Sequence, residues 1–151
     1  MPEIAVKRIL IIRLSAIGDV VFASPLVAAC RKAHPSAEID WLAEGVVRPL
    51  LQDMPGLHKV VLWPRQEWEE LWREKRLIML ARAILKMRAL LRERQYDLVV
   101  DAQGLVKSAL LAWLTGARSR IGFKSKEPTG VFLTKRIEKS ITPRISSEYL
   151  G

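Results

Sequence analysis

Residues 9–35, ILIIRLSAIGDVVFASPLVAACRKAHP, carry the order of elements that decides the fold. The stretch begins with the run 9–12, which is too short for a helix and apolar on both faces, as a buried parallel strand is. A glycine-containing turn is expected over 15–19. Ser24 and Pro25 then predict an N-cap and a proline at the first helical position of a helix that ends before the next proline. This order of strand, turn and helix is typical of α/β proteins.

The same alternation continues along the chain. Further strands are expected at 38–42, 59–63, 96–101 and 120–123, and further helices at 46–54, 66–94 (one or two helices) and 105–114. Strands separated by helices imply right-handed crossovers, so we predict an α/β, Rossmann-like domain with a mostly parallel sheet and helices on both faces. No internal repeat and no linker rich in Pro, Gly or Ser divides residues 1–151, so a single domain is expected.

The amino-acid composition is that of a folded protein with a positive net charge. Half of the residues are hydrophobic and the formal net charge is +9, which predicts a folded protein with a positive field that attracts phosphates, anionic lipids or nucleic acid. Cys30 is the only cysteine, so no intrachain disulfide can form and a reducing, cytoplasmic environment is expected. Neither a signal peptide nor an uncharged apolar run of about 18 residues is present, so any membrane contact should be peripheral.

Ligands of open α/β sheets bind beyond the carboxyl ends of the strands. The loop after the first strand contains Ser15, Gly18 and Asp19. A glycine allows a close turn there, and a carboxylate beside free backbone N–H groups could deprotonate a ligand hydroxyl. The same pattern suits an aspartate that only caps a helix or turn, and spacing does not separate these two interpretations.

A second candidate loop follows the fourth predicted strand. It brings together Asp101, Gln103, Gly104 and Lys107. Lys107 could bind a phosphate or carboxylate, but it could equally be a solvated lysine, and Asp101 could merely accept hydrogen bonds from its own loop. Other cations follow the third and fifth strands and could converge on one crevice, although a solvated basic face is the commoner explanation for any single one of them: Arg65, Arg73, Lys75, Arg76, Lys124 and Lys126.

Aromatic and amphipathic features add one more candidate surface. Trp63, Trp68 and Trp72 surround one loop, where their rings could meet a sugar face or a membrane interface, although core packing is the alternative for each. Core packing is the prediction for Trp41 and Trp113. The helical region 66–94 is basic and amphipathic, with one apolar face that comprises Leu77, Leu80, Ile84, Met87 and Leu91.

Several motifs are absent from the sequence. It has no Walker A motif, no G-x-G-x-x-G after the first strand, no nucleophile elbow and no zinc-like Cys/His cluster. These absences argue against a P-loop phosphotransferase, a standard dinucleotide oxidoreductase, a serine hydrolase and a metalloenzyme.

Two ordered blocks resemble one enzyme family. ILIIRLSAIGDVVFASPLVAACRKAHPSAEIDWL and DAQGLVKSALLA are similar to segments of ADP-heptose:lipopolysaccharide heptosyltransferases, and IGFKSKEPTGVFLTKRI resembles a later loop of the same family. The resemblance, closest to heptosyltransferase I of glycosyltransferase family 9, covers nearly the whole chain. It implies the N-terminal, acceptor-side domain of a two-domain GT-B glycosyltransferase.

The resemblance implies an inverting, metal-independent transfer of L-glycero-D-manno-heptose from ADP-heptose to a Kdo sugar of the lipopolysaccharide inner core. The acid of the family's S-x-x-G-D turn falls on Asp19, which would be the catalytic base. The candidates for acceptor binding are Ser15, Gly18, Arg65, Asp101, Gln103, Gly104, Lys107, Lys124 and Lys126. Lys126 stands where an arginine is expected before Glu-Pro, which keeps the charge but loses bidentate phosphate recognition.

The family's length and substrates imply further expectations. Relatives are roughly twice as long, so the domain that holds most of the donor site would be missing, and the isolated chain should fold but transfer no heptose. The expected partners are Kdo-lipid A, ADP-heptose and the cytoplasmic face of the inner membrane, with self-association through an uncovered face possible, no nucleic acid and no cofactor. Two alternatives stay open: a small basic anion-binding or nucleic-acid-binding module, and a transferase of the same fold for another sugar.

Overall fold

A parallel β-sheet forms the centre of the computed structural model, which describes residues 6–15, 17–123 and 135–137. Within these residues the sheet has six strands in the order β3-β2-β1-β4-β5-β6, and each neighbouring pair is parallel. The strands are β1 (Arg8–Ile12), β2 (Glu38–Ala43), β3 (Lys59–Leu62), β4 (Leu98–Asp101), β5 (Ser119–Phe123) and β6 (Lys135–Ile137). This is the Rossmann strand order, so the predicted fold class is confirmed.

The helices lie between the strands. They are α1 (Ile17–Ala23), α2 (Pro25–Ala33), α3 (Arg48–Leu51), which follows a 3₁₀ turn at Gly45–Val47, α4 (Arg65–Arg73), α5 (Leu77–Glu93) and α6 (Val106–Leu114). None of the helices in the described residues is both long enough and apolar enough to span a bilayer.

Strand β1 supplies both layers of the core because its side chains alternate between the two faces of the sheet. Ile9 and Ile11 pack in the layer covered by α1, α2 and α3. Leu10 and Ile12 pack in the layer covered by α4, α5 and α6. All four side chains are fully buried. The all-apolar run that predicted a buried strand is therefore explained by helices on both faces.

The first crossover differs from the prediction. Helix α1 begins at Ile17, so Gly18 and Asp19 lie in a helix rather than in a glycine turn. Helix formation here buries Val20 and Ala23 against the sheet. Ser24 also departs from its predicted capping role, because it has helical dihedral angles and its hydroxyl donates to the carbonyl oxygen of Val21 at 2.7 Å.

The predicted helical region 66–94 divides at Lys75, which has a φ of 57°. The N–H of Lys75 donates to the Trp72 carbonyl oxygen at 3.1 Å, and the N–H of Arg76 donates to the Leu71 carbonyl oxygen at 2.9 Å. These two bonds form a Schellman motif, which ends α4 and reverses the chain before α5 begins.

The apolar face predicted for this region packs on the sheet at Met87 and Leu91, whereas Leu77 at the start of α5 is exposed. Trp41 is fully buried, as predicted, but the prediction of core packing for Trp113 is wrong because its side chain is 48% exposed on α6. On the other layer, Cys30 is buried in α2, and this burial raises the pKa of its thiol to about 11.

Candidate functional site

Asp19 lies in the first turn of α1, just past the carboxyl end of the central strand β1. Its carboxylate is 55% exposed and therefore accessible to a ligand. Gly18 beside it has open space where a Cβ would lie, so no side chain covers the approach to Asp19 from that position. The position fits the general rule that ligands of open α/β sheets bind at this edge.

Arg13 fixes the Asp19 carboxylate to the neighbouring loop. One terminal nitrogen of its guanidinium, Nη2, lies 2.8 Å from Oδ2 of Asp19. The other, Nη1, donates to the carbonyl oxygen of Ala102 at 2.6 Å. The Arg13 side chain is only 12% exposed, and its backbone carbonyl oxygen accepts a bond from the Trp41 indole at 3.0 Å. Arg13 is thus held firmly while it orients Asp19.

The carboxylate of Asp101 organises the loop between β4 and α6. Its Oδ1 accepts hydrogen bonds from the backbone N–H groups of Gln103 at 3.0 Å and Gly104 at 3.2 Å. Its Oδ2 accepts a bond from the Ser108 hydroxyl at 3.1 Å. Burial raises the pKa of Asp101 to about 6, although these hydrogen bonds and the charge of Arg13 act in the opposite direction. Asp101 is fully buried, so it shapes the loop and does not contact a ligand directly in this conformation.

Gln103 and Gly104 complete the connection between the two loops. The side-chain oxygen of Gln103 accepts a hydrogen bond from the backbone N–H of Leu14 at 3.0 Å. Gly104 has a φ of 77°, a conformation that a side chain would strain, so the tight turn after β4 requires glycine here. The loops after β1 and β4, predicted separately from sequence, therefore form one continuous surface.

Arg65 begins α4 at the end of β3, but two carboxylates already engage its guanidinium. Its Nη1 lies 3.2 Å from Glu44 Oε1 and its Nε lies 2.8 Å from Glu69 Oε1. Both contacts raise the pKa of Arg65, and the contact with Arg65 lowers the pKa of Glu69. An anionic ligand would have to displace or share these partners, so Arg65 is a weaker anion-binding candidate than its position predicted.

Lys107 is exposed and borders an aromatic cavity. Its Nζ lies 5.9 Å from the centroid of the Trp63 ring. The cavity has a volume of about 460 Å³ and is lined by Trp63, Trp68, Glu69, Trp72, Arg73, Leu80, Ile84, Lys107 and Leu110. Trp63 and Trp68 are buried and pack edge to face at 5.6 Å, whereas Trp72 is 68% exposed. Of the three tryptophans near this loop, only Trp72 presents most of its ring to solvent.

Three predicted site residues remain: Ser15, Lys124 and Lys126. Ser15 is partly exposed between β1 and α1. Lys124 and Lys126 lie outside the described residues, so their convergence with the other cations stays a prediction. No cluster of three or more His, Cys, Asp or Glu side chains suited to a metal ion occurs among the residues that the structure describes.

Sequence reasoning missed Arg13, Glu44 and Ser108. Arg13 interrupts an apolar run at the end of a strand, and a charged residue at that place is the signal that could have identified it. Nothing in the spacing could have predicted that Glu44 pairs with Arg65, because that contact joins the segment after β2 to the first residue of α4. Among the described residues, the site combines the accessible carboxylate of Asp19 with the exposed cation Lys107 at the same edge, an arrangement that can accept a proton and attract an anionic ligand.

The chain is similar in sequence to heptosyltransferases. The family model described as glycosyltransferase family 9 (heptosyltransferase) matches residues 84–147. Lipopolysaccharide heptosyltransferase 1 of Pseudomonas aeruginosa is 35% identical over 72% of this chain and 29% of its own length. The lipopolysaccharide core heptosyltransferase OpsX of Haemophilus influenzae is 24% identical over 97% of this chain and 41% of its own length.

Solved structures share the fold. The heptosyltransferase WaaC of E. coli, solved with ADP, superposes with a TM-score of 0.78 at 24% identity, over 95% of this chain and 45% of that one. A glycosyl transferase of family 9 from Veillonella parvula superposes with a TM-score of 0.75 at 19% identity, over 99% of this chain and 41% of that one. The resemblance to heptosyltransferases is confirmed, and this chain spans less than half the length of each of these relatives.

Proposed function

We propose that this heptosyltransferase-like chain is the N-terminal, acceptor-side part of a GT-B enzyme that transfers heptose from ADP-heptose to Kdo of the lipopolysaccharide inner core. The similarity to glycosyltransferase family 9 supports transfer of a glycosyl group. The observation that carries the mechanism is the accessible Asp19 carboxylate, which Arg13 holds at the carboxyl end of the central strand. ADP-heptose would bind mainly to a second domain.

In this proposal Asp19 is the general base. The acceptor hydroxyl must lose its proton as it attacks the anomeric carbon, and a positioned carboxylate can take that proton. The reaction would be a single displacement with inversion at the anomeric carbon. As the resemblance to heptosyltransferases implies, it would proceed without a metal ion, and ADP would be the leaving group. Arg13 would be a positioning residue, since its two contacts fix Asp19 relative to the loop after β4.

The acceptor would lie along the edge that runs from Ser15 past Gln103 to Lys107. Exposed Lys107 supplies a positive charge for acceptor phosphates, and charge-assisted contacts are about twice as strong as neutral hydrogen bonds. The Kdo-lipid A acceptor is anchored in a membrane, so the enzyme would work as a peripheral protein on the cytoplasmic face of the inner membrane.

The test of Asp19 uses a version of the protein extended to the length of its relatives. Asp19→Asn should lower kcat by about 10²-fold or more, because the amide cannot accept the proton. Transfer is measured as ADP release from ADP-heptose with a Kdo-containing acceptor. Asp53→Asn is the matched control, since Asp53 is an exposed carboxylate in the loop between α3 and β3, and it should transfer at the normal rate.

A normal rate for Asp19→Asn, with the fold intact by circular dichroism, would remove Asp19 from the mechanism. The 151-residue chain by itself should fold but release no ADP, because most of the donor site would be missing. Measurable turnover by the isolated chain would contradict the proposed division of the two substrates.

A further inference from the structure

The turn between α4 and α5 exposes several large apolar side chains close together in the chain. They are Trp72, Leu77, Ile78 and Met79. Ile78 is 75% exposed and Trp72 is 68% exposed, although both belong to helices that pack other residues into the core. These four residues, together with Arg73, Lys75, Arg76 and Arg82, are called the turn surface below. Four large apolar side chains that are exposed within eight residues of the chain are a feature of the kind that interaction sites show.

Cations are interleaved with these apolar residues. Between residues 72 and 82 the chain has four cations and one carboxylate, Glu74, which gives this segment a net charge of +3. Glu74 lies 3.5 Å from Arg76, so its charge is already partly neutralised. No ion pair joins Arg73, Lys75 or Arg82 to a carboxylate in the part of the chain that the structure describes. Arg73 interacts electrostatically with Glu69, so Lys75 and Arg82 are the two cations of the turn surface best placed to meet an extended anionic surface.

We propose that the turn surface docks on an anionic phospholipid bilayer, with Ile78 at the depth of the upper acyl chains and Leu77 and Met79 flanking it on either side of α5. Trp72 would lie at the headgroup level, where amphipathic rings are favoured. Each nearby Lys or Arg adds attraction to the negatively charged leaflet. Peripheral binding by apolar insertion and basic flanking residues needs no spanning segment.

Two other occupants fit less well. A second copy of this chain would place a surface of net charge +3 against another of the same sign if the contact were the usual isologous one. A nucleic acid would match the cations but would leave Ile78, Leu77 and Met79 without apolar contacts, since its backbone is polar and charged. An anionic bilayer satisfies both the charges and the apolar side chains.

The position of the turn surface connects it to the candidate site. Trp72 and Arg73 line the same cavity as Lys107, which belongs to the first turn of α6 at the carboxyl edge of the sheet. A bilayer under the turn surface would therefore lie beside Lys107. This inference deepens the proposed function, because it assigns the surface on which the enzyme would meet a lipid-linked acceptor.

The test measures binding of the 151-residue chain to vesicles of phosphatidylcholine with and without phosphatidylglycerol, using flotation. These vesicles contain no saccharide, so the result is independent of heptose transfer. Binding should require phosphatidylglycerol. Ile78→Ser and Arg82→Glu should each lower the partition coefficient about tenfold, from lost insertion and from charge reversal respectively.

Matched controls lie on the opposite layer. Val46→Ser changes an apolar residue that is 67% exposed in the 3₁₀ turn, and Arg48→Glu makes the same charge reversal on α3. Both controls should bind within about twofold of the unchanged chain, because they belong to elements that pack on the other face of the sheet from α4 and α5. Bound protein should also show a blue-shifted Trp fluorescence and quenching by brominated lipid, both largely lost in Trp72→Phe.

Three outcomes would overturn the proposal: equal binding with and without phosphatidylglycerol, equal losses in the control variants, or self-association that Ile78→Ser abolishes in the absence of vesicle binding. If the vesicles bind as expected but the extended protein transfers no heptose, the turn surface stands and the proposed function fails. If the extended protein transfers heptose to a soluble Kdo acceptor but the chain does not bind vesicles, the proposed function stands and the turn surface fails.

Discussion

Asp101 shows how a carboxylate can be fully hydrogen-bonded and still be poorly stabilised as an anion. Its two oxygens accept bonds from two backbone N–H groups and from the Ser108 hydroxyl. Removal from water outweighs these favourable contacts, so the pKa rises from 3.8 to about 6. The folded protein therefore binds this proton more tightly than the unfolded chain does.

This difference predicts a pH-dependent contribution to stability. The stabilisation from protonated Asp101 is present in full below the unfolded pKa and is lost as the pH rises through about 6. Asp101→Asn keeps the shape, and its amide oxygen can still accept the two backbone bonds, but it does not titrate. Relative to the unchanged protein, the free energy of unfolding of the variant should rise by roughly 2 to 3 kcal/mol between about pH 4 and pH 7.

Urea unfolding across this pH range measures the effect. Asp53→Asn, at an exposed carboxylate, should show a difference that stays nearly constant with pH. If Asp101→Asn also gave a constant difference, Asp101 would titrate normally in the folded protein and its burial would have no energetic consequence.

The Schellman motif at the end of α4 has Lys75 at the position where glycine is the usual residue. Position 75 needs a positive φ, and lysine adopts this conformation less easily than glycine does. Lys75→Gly should therefore raise the free energy of unfolding by about 1 kcal/mol.

The control for this element is Lys86→Gly, at an exposed position inside α5. Glycine in a helix interior should lower the free energy of unfolding by about 1 kcal/mol. The same change of residue should thus have opposite signs at two positions only eleven residues apart, as measured by urea unfolding. A loss of stability in Lys75→Gly would mean that the turn is not held in the left-handed conformation.

These elements also indicate what the sequence could predict. The buried strand at 9–12, the order of strands and helices, and the strand ends that carry Asp19, Arg65 and Lys107 follow from apolar periodicity and from the topology of parallel sheets. The break at Lys75 could not be predicted, because no Gly or Pro marks it. Contacts such as Arg13 with Asp19 depend on side-chain directions, which spacing within a sequence does not determine.

At the scale of the whole molecule, one strand joins the two core layers. Ile11 and Ile12 are adjacent in β1, are both fully buried, and face opposite layers. Ile11→Ala and Ile12→Ala should each lower the free energy of unfolding by about 2 to 5 kcal/mol. Both should do so through a single transition, because both layers pack on the same sheet.

Circular dichroism and tryptophan fluorescence, followed together during urea unfolding, check this expectation. Trp63 and Trp68 report on the layer of Ile12, and Trp41 reports on the layer of Ile11. Coincident transitions indicate one cooperative unit. Separate transitions in either variant would mean that the two layers unfold independently.

Cys30, the single cysteine of the chain, can report local opening of one core layer. Cys30 is a buried residue of α2, and this burial raises the pKa of its thiol, which disfavours the reactive thiolate at neutral pH. A thiol-directed reagent can therefore label it only when the helices over that face lift from the sheet or the whole domain unfolds. The labelling rate measures these openings without any introduced probe, and reports how often α2 separates from the sheet.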